Sequence, residues 1–124
     1  MRPPVFEACR NDTSVQTLLG GTELRVYQFG EAPQDCKVPF AVWRIVYGNP
    51  INALNELPTM DWLGVQIDVY GPERDPAVTR EVATALRDAL EPFGHIMEWN
   101  GDSRDPDTRN YRVSFTMDWF LDRA

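Results

Sequence analysis

Apolar residues recur along this chain with two different periods, and the changes between them mark out its elements. Residues 75–93 carry the helical period. Asp75 offers a cap, Pro76 suits the first helical position, and Val78, Val82, Ala85, Leu86, Ala89, Leu90 and Phe93 fall on one face. Thr79, Arg80, Thr84, Arg87, Asp88 and Glu91 fill the remainder, and Gly94 ends the run. The period of two dominates 61–71, where Leu63, Val65, Ile67 and Val69 alternate with Gly64, Gln66 and Asp68. It returns over 110–121, with Tyr111, Val113, Phe115, Met117 and Trp119 set against Arg112, Ser114, Thr116 and Asp118. Each of these strands turns one face to a core and the other to water or a partner.

The remaining stretches are less regular. Residues 24–30 alternate weakly and read as a short strand, and 95–99 read as another. Residues 40–48 are apolar on both faces apart from Arg44, as in a strand inside a sheet. At the start, Pro3 and Pro4 suit a first helical turn, and Val5, Ala8 and Cys9 share a face. The polar quartet 11–14 then breaks the helix and offers Asp12, Thr13 or Ser14 as a new cap before Val15, Leu18 and Leu19. Gly20 and Gly21 end that second segment. The segment 49–59 has two prolines, three asparagines and no period, so it reads as a long loop.

The order is α-β-β-β-α-β-β. It predicts an α+β two-layer sandwich: a mostly antiparallel sheet covered by the 75–93 helix and an N-terminal helix. The last two strands form a hairpin. A right-handed crossover makes 95–99 run parallel to 61–71, with 110–121 between them as the antiparallel partner. At 124 residues the expectation is one domain, 1–124, that buries roughly two-thirds of its unfolded surface.

Charge and cysteine content narrow the function classes. The net charge of −7 argues against a dedicated nucleic-acid binder, though not against a protein that DNA passes without sticking. Cys9 and Cys36 are the only cysteines and His95 the only histidine, too few for a zinc site. Both cysteines read as reduced thiols. No signal-peptide run opens the chain and no window reaches the roughly 18–20 apolar residues of a membrane helix, so folding in the cytoplasm is expected.

The acids of 102–107 invite a metal or catalytic reading. Counting a calcium loop from Asp102 puts Arg104 at the third position, Asp107 at the sixth and Val113 at the twelfth, and each fails the requirement. A hairpin turn fits instead: Pro106 fixes φ while Asp105 and Asp107 accept hydrogen bonds from backbone amides. Asp68 and Asp118 lie on polar strand faces, and an arginine such as Arg44 or Arg112 is expected beside them. His95 follows a helix end, and no nucleophile elbow or phosphate loop is present. No catalytic, cofactor-binding or metal residue is therefore expected. Trp43, Trp62, Trp99 and Trp119 all fall on or beside strands, either as large core residues or as part of a protein–protein interface.

The second half, "VQIDVYGPERDPAVTREVATALRDALEPFGHI" followed by "SRDPDTRNYRVSFTMDWF", resembles the small tail-completion proteins of long-tailed bacteriophages, also described as tail terminators or head–tail joining proteins. The opening "MRPPVFEACRNDTSVQTLLGG", "LRVYQFGEAPQ" and "PFAVWRIVYGNP" fit that family's layout, so the likeness spans nearly the whole chain. The resemblance implies a virion protein that assembles as a homo-oligomeric ring, typically of six, at the head-proximal end of the tail. There it ends tube polymerisation, touches the tail tube protein and the head connector, and lets genomic DNA through its lumen. Neither catalysis nor a cofactor is implied. An acidic lumen would repel the phosphate backbone.

Partner contacts are expected from Ile51, Leu54 and Leu57, apolar residues without a strand role, although a loop folded back on its own core is the alternative. Trp62 and the charged turn residues Asp105, Asp107 and Arg109 complete the candidate set. The competing class is a small ligand-binding or enzymatic α+β domain, as a monomer or a dimer, which requires a closed apolar pocket.

Overall fold

A computed structural model describes residues 2–20, 23–53 and 56–123. It has two layers, with three helices on one face of a five-stranded sheet. The chain runs through α1 (Val5–Arg10), α2 (Thr13–Leu19), β1 (Val26–Gln28), β2 (Phe40–Ala53) and β3 (Glu56–Gly71). It continues through α3 (Pro76–Leu90), a 3-10 turn (Glu91–Phe93), β4 (Gly94–Arg104) and β5 (Tyr111–Asp122). The strand order is β1-β2-β3-β5-β4, and only β1 pairs in parallel. As expected, β5 lies between β3 and β4, antiparallel to both. No described helix is long and apolar enough to cross a membrane.

Local chemistry sets the helix ends. Asp12 Oδ1 accepts from the Val15 amide at 3.0 Å and starts α2, and Gly20, at φ 109°, ends it. Asp75 Oδ1 accepts from the Val78 amide at 3.4 Å, with Pro76 in the first turn of α3. The helix α3 lies on β3 and β5, and α1 and α2 pack against it. It buries Val82, Leu86 and Leu90 against Leu63, Val65, Ile67 and Val69 of β3 and Val113, Phe115, Met117 and Trp119 of β5. Ala41 and Trp43 extend this core toward β1.

Three expectations need correction. The segment 49–59 is not a loop: β2 continues to Ala53 and β3 begins at Glu56, forming a hairpin arm. Pro50 and Pro58 are tolerated because sheet edges accept a residue without an N–H. The strand after α3 extends to Arg104, because shifts in register after Ile96 and Trp99 keep β4 paired with β5 past the glycine. Finally, Thr79 is fully buried, whereas Phe93 is exposed and stacks on Trp119 at 5.4 Å.

The two cysteines occupy different environments, and both are free thiols. Cys9 is buried in the core, and burial, reinforced by the charge of Asp12, pushes its thiol up to about 12. Cys36 is partly exposed, its sulfur 3.8 Å from the Tyr27 hydroxyl. A thiol reagent at about pH 8 should therefore modify Cys36 in the native protein and Cys9 only after unfolding. Rapid native modification of both would show that α1 does not stay packed on the core with Cys9 inward.

Candidate functional site

The helices cover one sheet face, and no described element covers the other. Alternation turns Arg44, Gln66, Asp68, Ser114, Thr116 and Asp118 to this open face. Asp68, Ser114, Thr116 and Asp118 are nonetheless buried, because larger neighbours lean over them. Gln66 Nε2 donates to Asp68 Oδ1 at 3.0 Å and to Ser114 Oγ at 3.3 Å, and Thr116 Oγ1 donates to Asn100 Oδ1 at 3.0 Å. The middle of the face is therefore a polar network, flanked by Phe40, Val42 and Tyr70 at one end and by Trp62 and Phe120 at the other.

Gly64 shapes the upper part of this face. Any Cβ there would sit 2.2 Å from the ring of Tyr47, which lies across the glycine and donates from its hydroxyl to Asp118 Oδ1 at 3.3 Å. Partial burial, then the Asp118 carboxylate, pushes the Tyr47 hydroxyl above its ordinary value and keeps it a donor. Asp68 and Asp118 are not direct cross-strand neighbours: Asp118 pairs with Gly64, and Asp68 pairs with Ser114. Nor does an arginine hold them as the sequence suggested; Gln66 and Tyr47 do.

The expected contact residues separate into two groups at opposite ends of the sheet, roughly 36 Å apart along β5 at the usual strand rise. On the arm, Leu57 is 86% exposed and Ile51 is also exposed. Leu54 lies outside the described residues. At the arm's base Trp62 meets Tyr47 edge-on at 5.3 Å, and its indole Nε1 is buried without a partner. Arg123, just beyond β5, clamps this base by donating to Asp61 at 2.8 Å, and that contact holds the Asp61 carboxyl below the usual carboxylate range.

At the other end, the acid-rich segment is a turn. Asp105 Oδ1 accepts from the amides of Asp107, at 2.8 Å, and Thr108, at 3.2 Å. Arg109, at φ 63°, donates to Glu73 at 3.0 Å, while Asp107 is exposed. Asp102 accepts from Tyr111 and from Arg80, the latter at 3.1 Å; these donors, Tyr111 first, lower its carboxyl. Among the described residues no group of three or more His, Cys, Asp or Glu could hold a metal. Asp105 also borders an open groove of about 300 Å³ lined by Phe29, Phe40, Val42 and Tyr70.

The sheet is also open at both sides. The short β1 pairs only with Ala41, Val42 and Trp43, and the Phe29 amide beyond it donates to the Trp43 carbonyl at 2.8 Å, so among the described residues β2 has a free edge beyond Arg44 and the outer edge of β4 is free along its length. Sequence reasoning singled out neither edge, because the last strand in a sheet is decided by pairing rather than by local pattern.

No curated protein matches the chain significantly. A chain of the solved structure titled "Virion of native gene transfer agent (GTA) particle" has a similar fold, with a TM-score of 0.62. The two are 14% identical over 95% of this chain and 91% of that one, a likeness of fold alone. Residues 3–122 match the family described as "Tail completion protein gp17". With nearly its full length matched, the chain belongs to the tail completion protein gp17 family.

Proposed function

We propose that this chain, a structural phage tail protein by its family, closes the head-proximal end of a tail tube as a ring of six copies. In this reading the ring stops further addition of tube subunits and offers its outer surface to the head connector. It resides in the tail–neck region of the virion, after assembly in the host cytoplasm, and performs no chemistry. The observation that carries the reading is a sheet left open along both sides in a member of a tail-completion family. Such a sheet suits head-to-tail contact between identical copies, which closes into a ring when each step turns by the same angle.

The polar middle of the open face suits the lumen wall. Asp68, Asp118 and Glu98 outnumber Arg44 and Arg112 there, and the whole chain carries −7, so DNA slides past rather than adheres. The arm with Ile51, Leu57 and Trp62 is the proposed contact with a tube or connector subunit. The turn with Asp105, Asp107 and Arg109 serves the same role by charge.

Sedimentation velocity across a wide concentration range, with electron micrographs, tests this. The measurement is repeated with tubes polymerised from the matching tube protein. A discrete ring with a central hole, alone or at tube ends, is expected. A stable dimer, or a monomer that ignores tube ends, overturns the reading.

A further inference from the structure

We infer that neighbouring copies meet side by side, the free edge of β2 in one copy against the outer edge of β4 in the next, with Arg44 facing Glu98 of a second copy. The inference rests on the ring reading and names the surfaces that build it.

The register carries the argument. Arg44 pairs with Gln66, Gln66 with Thr116, and Thr116 with Glu98, so all four lie in one row across the sheet. The row begins with a cation where the free edge of β2 starts, beside Phe29, and ends with an anion on the free edge of β4, at the same height and on the same face. Placing identical sheets side by side without a vertical step brings the two ends together. The strands also suit the contact: β2 and β4 run in opposite directions, as adjacent strands of a continued antiparallel sheet would.

Neither charge has an ion-pair partner of its own among the described residues. Arg44 donates to the Gln66 carboxamide at 3.3 Å and lies over the Phe29 ring at 5.8 Å. Glu98 accepts only from the Asn100 side chain, at 3.1 Å. Both are exposed.

Each charge has an exposed apolar residue close by. Val46, 40% exposed, falls in the register shift between Ile45 and Tyr47 of β2. Met97, 55% exposed, falls in the shift between Ile96 and Glu98 of β4. These irregularities interrupt the regular edges that would let strands stack without limit, so the contact is made mainly by side chains. Charge also selects the polarity of the joint. Two β4 edges would set Glu98 against Glu98, and two β2 edges would set Arg44 against Arg44, so only the head-to-tail contact is attractive.

Arg44→Glu and Glu98→Arg, made separately, test the proposal under conditions where the wild type assembles. Each variant should keep the wild-type circular dichroism and, at concentrations where the wild type is also unassembled, its thermal midpoint, because both side chains are exposed, yet sediment as unassembled protein where the wild type forms the ring. The loss is roughly tenfold in association at every interface, compounded around the ring. An equimolar mixture of the two should restore the ring, because alternating copies then present opposite charges at every joint. The double variant should also assemble alone. Single variants that assemble normally, or correctly folded variants that stay apart when mixed, overturn this interface and leave the ring reading intact. A wild type that forms no ring, alone or on tubes, overturns both.

Discussion

Replacing Phe115 with alanine should lower the free energy of unfolding by about 3–5 kcal/mol. The side chain is fully buried at the middle of β5, in the core beneath the helices, with the Trp99 ring 5.0 Å away. Its removal leaves a cavity between two rigid layers that cannot close without moving strand or helix backbone. Domains of this kind are stable by only about 5–15 kcal/mol, so the loss is a large share of the total. Phe120→Ala is the matched comparison: the same residue type on the same strand, but on the open face and exposed. That substitution should cost under about 1 kcal/mol in the same urea titration. Equal costs for the two would mean that β5 does not divide its sides between a core and an open surface.

Gly94→Ala should be nearly as damaging, for a different reason. The glycine is in extended backbone that any residue adopts, so conformational strain is not at issue. The problem is space: a methyl group would lie 1.8 Å from the carbonyl oxygen of Asp118 and 3.2 Å from Met117 Cε. A carbonyl in a strand ladder cannot swing aside as a side-chain tip does. The start of β4 must therefore lift from β5, at a cost of about 3 kcal/mol, the upper part of the range for overpacking. Urea unfolding checks this too. A cost under about 1 kcal/mol would show that β4 begins detached from β5, and it would remove the basis for placing Glu98 level with Arg44.

Much of this architecture is legible in the residue pattern. Asp75 and Pro76 announce α3, and Val82, Leu86 and Leu90 fix its buried stripe. The alternation in β3 and β5 is nearly strict, and a helical crossover followed by a hairpin leads to the observed order with β5 between β3 and β4. What was not legible depends on neighbours rather than on neighbouring sequence. Asn49, Pro50, Asn52 and Pro58 read as loop because turns favour such residues, yet they extend two strands where one edge is free. Asn100 and Gly101 read as the end of β4, and only the register with β5 shows the strand absorbing them. Thr79 looks polar by composition, but its place on the side of α3 that packs against Gly71 of β3 buries it.

The candidate surface was less accessible still. Ile51 and Leu57 stand out in sequence as apolar residues without a period, and Asp105 as a turn acid. Arg44 and Glu98 do not stand out, because their relation exists only once four strands are set in order. The family resemblance pointed to a tail protein; the paired register identifies which edges are available to a neighbouring copy.

The central pairing of the sheet has a kinetic consequence. β2 and β3 are joined by the shortest connection in the sheet, whereas β3 and β5 are separated by an entire helix and a strand. Closing the longer loop loses more chain entropy before any contact offsets it, so the β2–β3 hairpin is the natural first piece of sheet to form. Until β5 arrives, β3 exposes one side of its ladder, and that interval is when a nascent chain is most open to pairing with the wrong strand. Conditions that slow the docking of β5 on β3 are therefore expected to lengthen the time for which that side of the ladder stays open.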